Sequence, residues 1–355
     1  MTLSRQDTAL LKGVAILMIA LHNFCHWLPM AVIENEYQYD ATRIWKLMSY
    51  YEALRPHVLL NTLSHFGHYG VPLFLFLSGY GLVKKHEREG ANHLHIGRFL
   101  WHNAQKLWWI MLPAIGLFIL GEELLREGFQ HDSLDLFRMV SYTTNFFPTG
   151  RMMMGPWWFF SLIMQFYLLY ALFFWRWRNH TLLWGSTLFT LAFQVWLYMS
   201  DLHFTWEGRE IYALEYVRYN AVGHLLPFAL GIAYARREWQ FPPLLMAMAG
   251  TLLTFGAAFR VELWWFSPLF AVMALLPLAR LIPEGKIRHF LMWVGPISAA
   301  VFAFHPVVRQ HLILAAGRAV RMDEPSLVYG SLLLYIMVCL ALAWGYTQIL
   351  NRLKR

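Results

Sequence analysis

Charge is what this sequence has least of: 14% of its 355 residues are Asp, Glu, Lys or Arg, while 58% are hydrophobic. Soluble domains carry about 25% charged residues, so the two or three water-soluble domains that the length would allow are excluded. Cysteine is nearly missing. Cys25 and Cys339 sit in apolar runs near opposite ends of the chain, which excludes a disulfide framework and a cysteine metal site. The net charge of +8 is basic, yet no stretch between the apolar runs forms a basic module, so nucleic acid is not an expected partner. Low-complexity linkers and an obvious internal repeat are lacking as well. The apolar run after Arg5 has no small-residue cleavage site near Trp27, Leu28 and Pro29, and it is expected to remain as a first span.

Long apolar runs are what the chain has instead. A bilayer core of about 30 Å needs about 20 mostly apolar residues per helix. Ten segments fit that template, over 10–30, 62–83, 100–121, 156–175, 181–200, 216–236, 243–259, 263–280, 290–314 and 327–350. They are too long and too uniformly apolar for the alternating strands of a barrel. The expectation is an all-α, polytopic integral membrane bundle of about ten transmembrane helices, forming one domain over 1–355. Lys84, Lys85, Arg98, Arg176, Arg178, Arg236, Arg237, Arg280, Lys286 and Arg288 fall on one set of connections, which the positive-inside rule makes cytoplasmic. An even span count then puts both termini on that side, and the long connections 31–61 and 122–155 face outward.

An ionisable residue inside a span is costly and by default marks function, with satisfied core packing as the alternative. His22 lies ten residues beyond Lys12, roughly 15 Å along a helix, placing an imidazole near mid-membrane and a cation at the cytoplasmic edge. That spacing suits a long donor with an anionic head. His22 and His26 share a helix face, which also admits a metal pair, although no nearby acid completes one. His305, in Ala-Phe-His-Pro, is a second intramembrane histidine, and Pro306 frees a backbone carbonyl beside it. Gly67 to Gly81 spaces small residues so that helices can approach closely, with His65 and His68 expected in solvent at its outer end. Arg98, His102 and Lys106 line a cytoplasmic entrance, where they either hold donor phosphates or snorkel to lipid phosphate. Trp157, Trp158, Trp196, Trp206, Trp264 and Trp265 read as a headgroup belt, some of which could stack on a sugar, with Arg151 offering polar contacts to a hydroxylated acceptor.

These stretches resemble bacterial acyltransferase family 3, the membrane enzymes that decorate envelope polysaccharides. The resemblance rests on the basic-Gly-to-histidine helix from Lys12 to His22, on Gly70 to Tyr80, on Trp158 to Tyr167, and on Leu226 to Gly231 with Ala303 to Pro306. Together they span nearly the whole chain. Three features depart from the family pattern: Lys12 stands where Arg is usual, His22 comes one residue early with Asn23 at the usual spacing, and Ile163 and Met164 replace an acidic pair. The resemblance implies an O-acyltransferase of the bacterial cytoplasmic (inner) membrane. It would move an acyl group, most simply acetyl, from acyl-CoA to a hydroxyl of a surface glycan or its lipid-linked precursor. His22 or His26 would be the catalytic base, with Asn23 orienting the ring or donating to the oxyanion. Lys12, Arg98 and Lys106 would hold the CoA phosphates, and Arg151, Trp158 and His305 would meet the acceptor. No metal or permanently bound cofactor is implied. The rival is a transporter or flippase for an anionic or glycan-lipid substrate, with histidines relaying protons.

Overall fold

A computed structural model describes residues 3–87, 93–125, 128–148 and 152–353. Their elements are almost all helical, and the strands among them form one antiparallel hairpin, His203–Trp206 against Arg209–Tyr212. Among the described residues seven helices are long and apolar enough to cross a membrane: Arg5–Cys25, Val58–His86, Ile96–Leu124, Gly155–Trp177, His180–Ser200, Lys286–Arg321 and Pro325–Leu353. The other three expected spans are helical but shorter, over Ala221–Arg237, Pro243–Ala257 and Ser267–Leu281. A 15-residue helix reaches only about 22 Å at ~1.5 Å per residue, so composition had stretched these segments. Packing groups the chain into two units, residues 1–74 with 240–355, and residues 75–239, where the sequence suggests one bundle.

In the first unit, helix Arg5–Cys25 begins earlier and ends earlier than the apolar run implies. Ser4 and Asp7 form a reciprocal cap, with Ser4 Oγ accepting from Asp7 N at 3.0 Å and Asp7 Oδ2 accepting from Ser4 N at 2.9 Å. Asp7 is buried and also pairs with Arg280 at 3.2 Å and Arg288 at 3.5 Å, which pins the helix start to the Leu278–Leu281 and Lys286–Arg321 segments. Tyr335 Oη, from the last helix, donates to Ala20 O at 3.1 Å. Inside Lys286–Arg321, Pro306 has no N–H for the Phe302 carbonyl, and the His305 ring takes its place: Nδ1–H donates to Phe302 O at 2.8 Å and lies 3.2 Å from Val301 O.

Side-chain amides and an ion pair at Glu87 help hold the second unit. Gln165 accepts from Ala221 N at 2.9 Å, satisfying the start of Ala221–Arg237, and donates to Asn220 at 2.7 Å. Arg236 grips Glu87 through two nitrogens at 2.8 and 2.9 Å, and Tyr170 Oη joins the same carboxylate at 3.2 Å. In the hairpin the two-residue loop Glu207–Gly208 has positive φ at both positions, 48° and 74°, which matches the twist of the flanking strands.

Candidate functional site

His22 falls in the last turn of Arg5–Cys25, not at its middle. The capped start at Ser4 sets the helix about 26 Å long between Arg5 and His22. Its ring is buried and is fixed by one hydrogen bond: Nδ1–H donates to the Ser64 carbonyl at 2.8 Å. A carbonyl only accepts, so Nδ1 carries the proton and the lone pair of a neutral ring is on Nε2. Ser64 is itself placed by the segment after the first helix. Its Oγ donates to Val32 O at 2.8 Å, while Asn61 Oδ1 accepts from Val32 N at 2.8 Å. One residue of that segment therefore sets two buried side chains, and through Ser64 the orientation of the imidazole.

Close packing brings the partners in. A Cβ on Gly67 would stand 2.6 Å from His22 Cβ and 2.7 Å from Met18 O, so only glycine lets Val58–Phe66 and the turn after it approach here. The His26 ring lies 5.0 Å from that of His22 and the His68 ring 5.6 Å. His65 and His68 are buried, contrary to the expectation of solvent, because the glycine-permitted approach closes over them. Among the described residues the Nδ1 atoms of His26, His65 and His68 have no hydrogen-bond partner. Burial, reinforced by the Arg309 and Arg43 cations, holds His26 down to about 4, so it is neutral at ordinary pH. No group of three or more His, Cys, Asp or Glu among the described residues is arranged to hold a metal ion.

Arg309 completes the cluster, and the sequence reading passed over it. It is 6% exposed, yet among the described residues it meets no carboxylate. Its Nη1 donates to Asn23 Oδ1 at 3.2 Å and its guanidinium lies 4.6 Å from the centre of the Trp27 ring. Asn23 donates in turn to Ile19 O at 3.1 Å, and among the described residues it makes no hydrogen bond to His22. Asn23 thus serves the arginine and not the imidazole. The signal that finds Arg309 is the one that singles out His22: an ionisable residue within the span expected over 290–314.

The remaining candidates are dispersed. Lys12 is exposed on the same helix as His22, while Arg98 and Lys106 are exposed on Ile96–Leu125 in the other unit. His305 is fully buried and its Nδ1 is engaged by the Phe302 carbonyl that Pro306 leaves free, with Nε2 unpartnered among the described residues. Trp158 is buried and stacks on His224 at 5.1 Å. Trp157, Trp264 and Trp265 are buried too, and only Trp196 and Trp206 of the expected aromatic belt are exposed, because the others fill helix contacts. Arg151 lies outside the described residues.

A buried histidine with a fixed tautomer, near a cation that meets no carboxylate among the described residues, has the chemistry to accept a proton from a hydroxyl and oppose developing negative charge. In comparison with known proteins, the family described as an acyltransferase domain matches residues 8–349. No curated protein and no solved structure matches the chain. Covering both packing units and nearly every helix, the match makes this chain a member of membrane acyltransferase family 3.

Proposed function

We propose that the chain moves an acyl group, most simply acetyl, from acyl-CoA to a hydroxyl of a surface glycan or its lipid-linked precursor. One observation carries the reading: the Nδ1–H of His22 is committed to Ser64 O at 2.8 Å, which puts a lone pair on Nε2 in a buried site beside Arg309. In the proposed step Nε2 removes the acceptor hydroxyl's proton as that oxygen attacks the thioester carbonyl. The tetrahedral oxyanion forms near the Arg309 guanidinium, its collapse breaks the C–S bond, and the imidazolium returns the proton to the departing CoA thiolate. Lys12, Arg98 and Lys106 hold CoA phosphates in this scheme. Arg151, Trp158 and His305 remain acceptor-side candidates, although the burial of Trp158 and the backbone role of His305 favour support over contact. Ten crossings in a bacterial inner membrane with both termini cytoplasmic complete the picture, the three shorter helices crossing a locally thinned bilayer.

The test is transfer of radiolabelled acetyl from acetyl-CoA to envelope glycan in membranes carrying matched amounts of wild type or His22→Ala. The expected result is transfer by the wild type and a fall of about 10²- to 10⁴-fold in the variant. Transfer retained by His22→Ala moves the base to His26, and transfer by neither sinks the acyl-CoA reading in favour of transport.

A further inference from the structure

Helix Val58–Phe66 carries two side chains that leave it for the same residue. Asn61 and Ser64, three apart and so on one face, take both main-chain groups of Val32: Asn61 Oδ1 accepts from Val32 N and Ser64 Oγ donates to Val32 O, each at 2.8 Å. Both residues are 0% exposed. A hydroxyl inside a helix ordinarily bonds back to the carbonyl one turn before it, as Thr62 of the same helix does with Val58 O at 2.8 Å. Ser64 reaches out instead, although Val32 O already accepts from Glu34 N at 3.0 Å. Satisfying that carbonyl does not require Ser64.

The gripped residue is fixed from its other side. Lys46 Nζ donates to Ala31 O and Tyr50 Oη to Met30 O, each at 3.0 Å, so helix Ala41–Glu52 holds the chain directly before Val32. Val32 itself packs with Ile44, Leu47 and Tyr50 of that helix and with Ala258. All these residues belong to the unit formed by residues 1–74 and 240–355. Ser64 also lies in the last turn of its own helix, where carbonyls are open to a side-chain donor. Its carbonyl is the one that takes Nδ1–H of His22 at 2.8 Å. A slide or turn of Val58–Phe66 against Val32 would move that carbonyl, and a neutral imidazole without it divides between two tautomers. In the tautomer with the proton on Nε2, that nitrogen has no lone pair for an incoming hydroxyl.

We infer that Asn61 and Ser64 are positioning residues for His22: they lock helix Val58–Phe66 to Val32 and so hold the Ser64 carbonyl that keeps Nε2 free of a proton. Neither touches substrate in this scheme. Their effect on acyl transfer rests on the reading of His22 as the base, whereas their effect on its tautomer does not. Ser64 acts twice, through its hydroxyl and through its carbonyl, and substitution removes the hydroxyl while leaving the carbonyl in the chain.

The experiment is nitrogen NMR of the imidazole rings in the full-length protein, labelled with ¹⁵N-histidine in detergent micelles at neutral pH, the His22 signals being those lost in His22→Ala. In the wild type His22 should show the single tautomer protonated on Nδ1, a check free of any change near Val32. Ser64→Ala, which leaves Val32 O with Glu34 N, should give a mixture of tautomers. Its kcat for acetyl transfer should fall about 10- to 100-fold, the scale of losing the partner that orients a working histidine, with KM for acetyl-CoA within about twofold of wild type. Asn61→Leu should act in the same direction, and Thr62→Val, whose hydroxyl stays on its own helix, should change neither reading. Where Asn61→Leu fails to fold, the wild-type spectrum and Ser64→Ala decide. A wild-type ring protonated on Nε2, a Ser64→Ala ring that keeps the wild-type tautomer, or a tautomer shift with undiminished transfer overturns the inference. Tautomers that shift as expected in a protein that transfers no acetyl in any form uphold the positioning and sink the acyltransferase reading alone. Transfer by the wild type with no shift in either variant sinks this inference alone.

Discussion

Arg236 and Arg309, one in each packing unit, hold their guanidinium groups in opposite ways. Arg236, in residues 75–239, meets Glu87 with two hydrogen bonds and donates a third to Phe174 O at 2.7 Å. Arg309, in the unit formed by residues 1–74 and 240–355, meets one amide oxygen and one indole face. Removing a charge from water costs several kcal/mol unless a partner offsets it. The first arrangement is how a fold carries a charge for its own sake. The second leaves positive potential at a buried site, where the proposed mechanism places the oxyanion.

Several substitutions test that contrast. The largest effect is expected on chemistry: Arg309→Met should lower acetyl transfer by about 10²- to 10³-fold, the scale of losing one oxyanion donor, while the unfolding midpoint stays level or rises. Transfer at wild-type level would erase the contrast. Glu87→Ala should act the other way, costing about 3–5 kcal/mol of stability through the Arg236 charge it strands, as read by unfolding in detergent. A cost below about 1 kcal/mol would mean that this pair is solvated.

Glycine gives a smaller, two-sided version. Gly67→Ala forces a Cβ to within 2.6 Å of His22 Cβ, and overpacking of that kind costs about 1–3 kcal/mol and displaces the imidazole. Gly116→Ala, where a Cβ meets nothing within 4 Å, should stabilise helix Ile96–Leu125 by about 0.5–1 kcal/mol without touching transfer. Thermal unfolding of the pair, alongside acetyl transfer, checks both signs.

The smallest effect is in pH dependence. Burial pushes the Glu34 carboxyl up to about 8 and outweighs Arg43 at 3.5 Å, so the folded protein holds a proton there that the unfolded chain releases near 4.5. Stability from this group is full below about 4.5 and declines as pH rises toward 8. Glu34→Gln should flatten that slope in unfolding midpoints measured from pH 5 to 8. An unchanged slope would assign the pH dependence elsewhere.

Much of this was legible from local sequence. Each expected span is helical in the structure, and the glycines at 67 and 70 do admit close helix approach, because small residues at that spacing act through their own backbone. The reciprocal cap of Ser4 and Asp7 was present in the sequence but unread, and it moves the first helix start from 10 to 5. The burial of His65, His68 and Trp158 was not legible, since their neighbours come from distant segments. Asn23 was expected to orient the imidazole or donate to the oxyanion, and the partner it meets, Arg309, is 286 residues away.

Sequence alone determined the helical class and the presence of spans, because backbone groups in hydrocarbon must be satisfied within the segment that carries them. It also determined that His22 stands at a cost that function must justify. Tertiary structure alone decided which nitrogen of that histidine carries the proton, which nearby cation meets no carboxylate among the described residues, and where a cavity lined by tyrosines and carboxylates opens. Tautomers, counter-ions and cavities depend on atoms brought close across long stretches of chain, and no local pattern encodes which those will be.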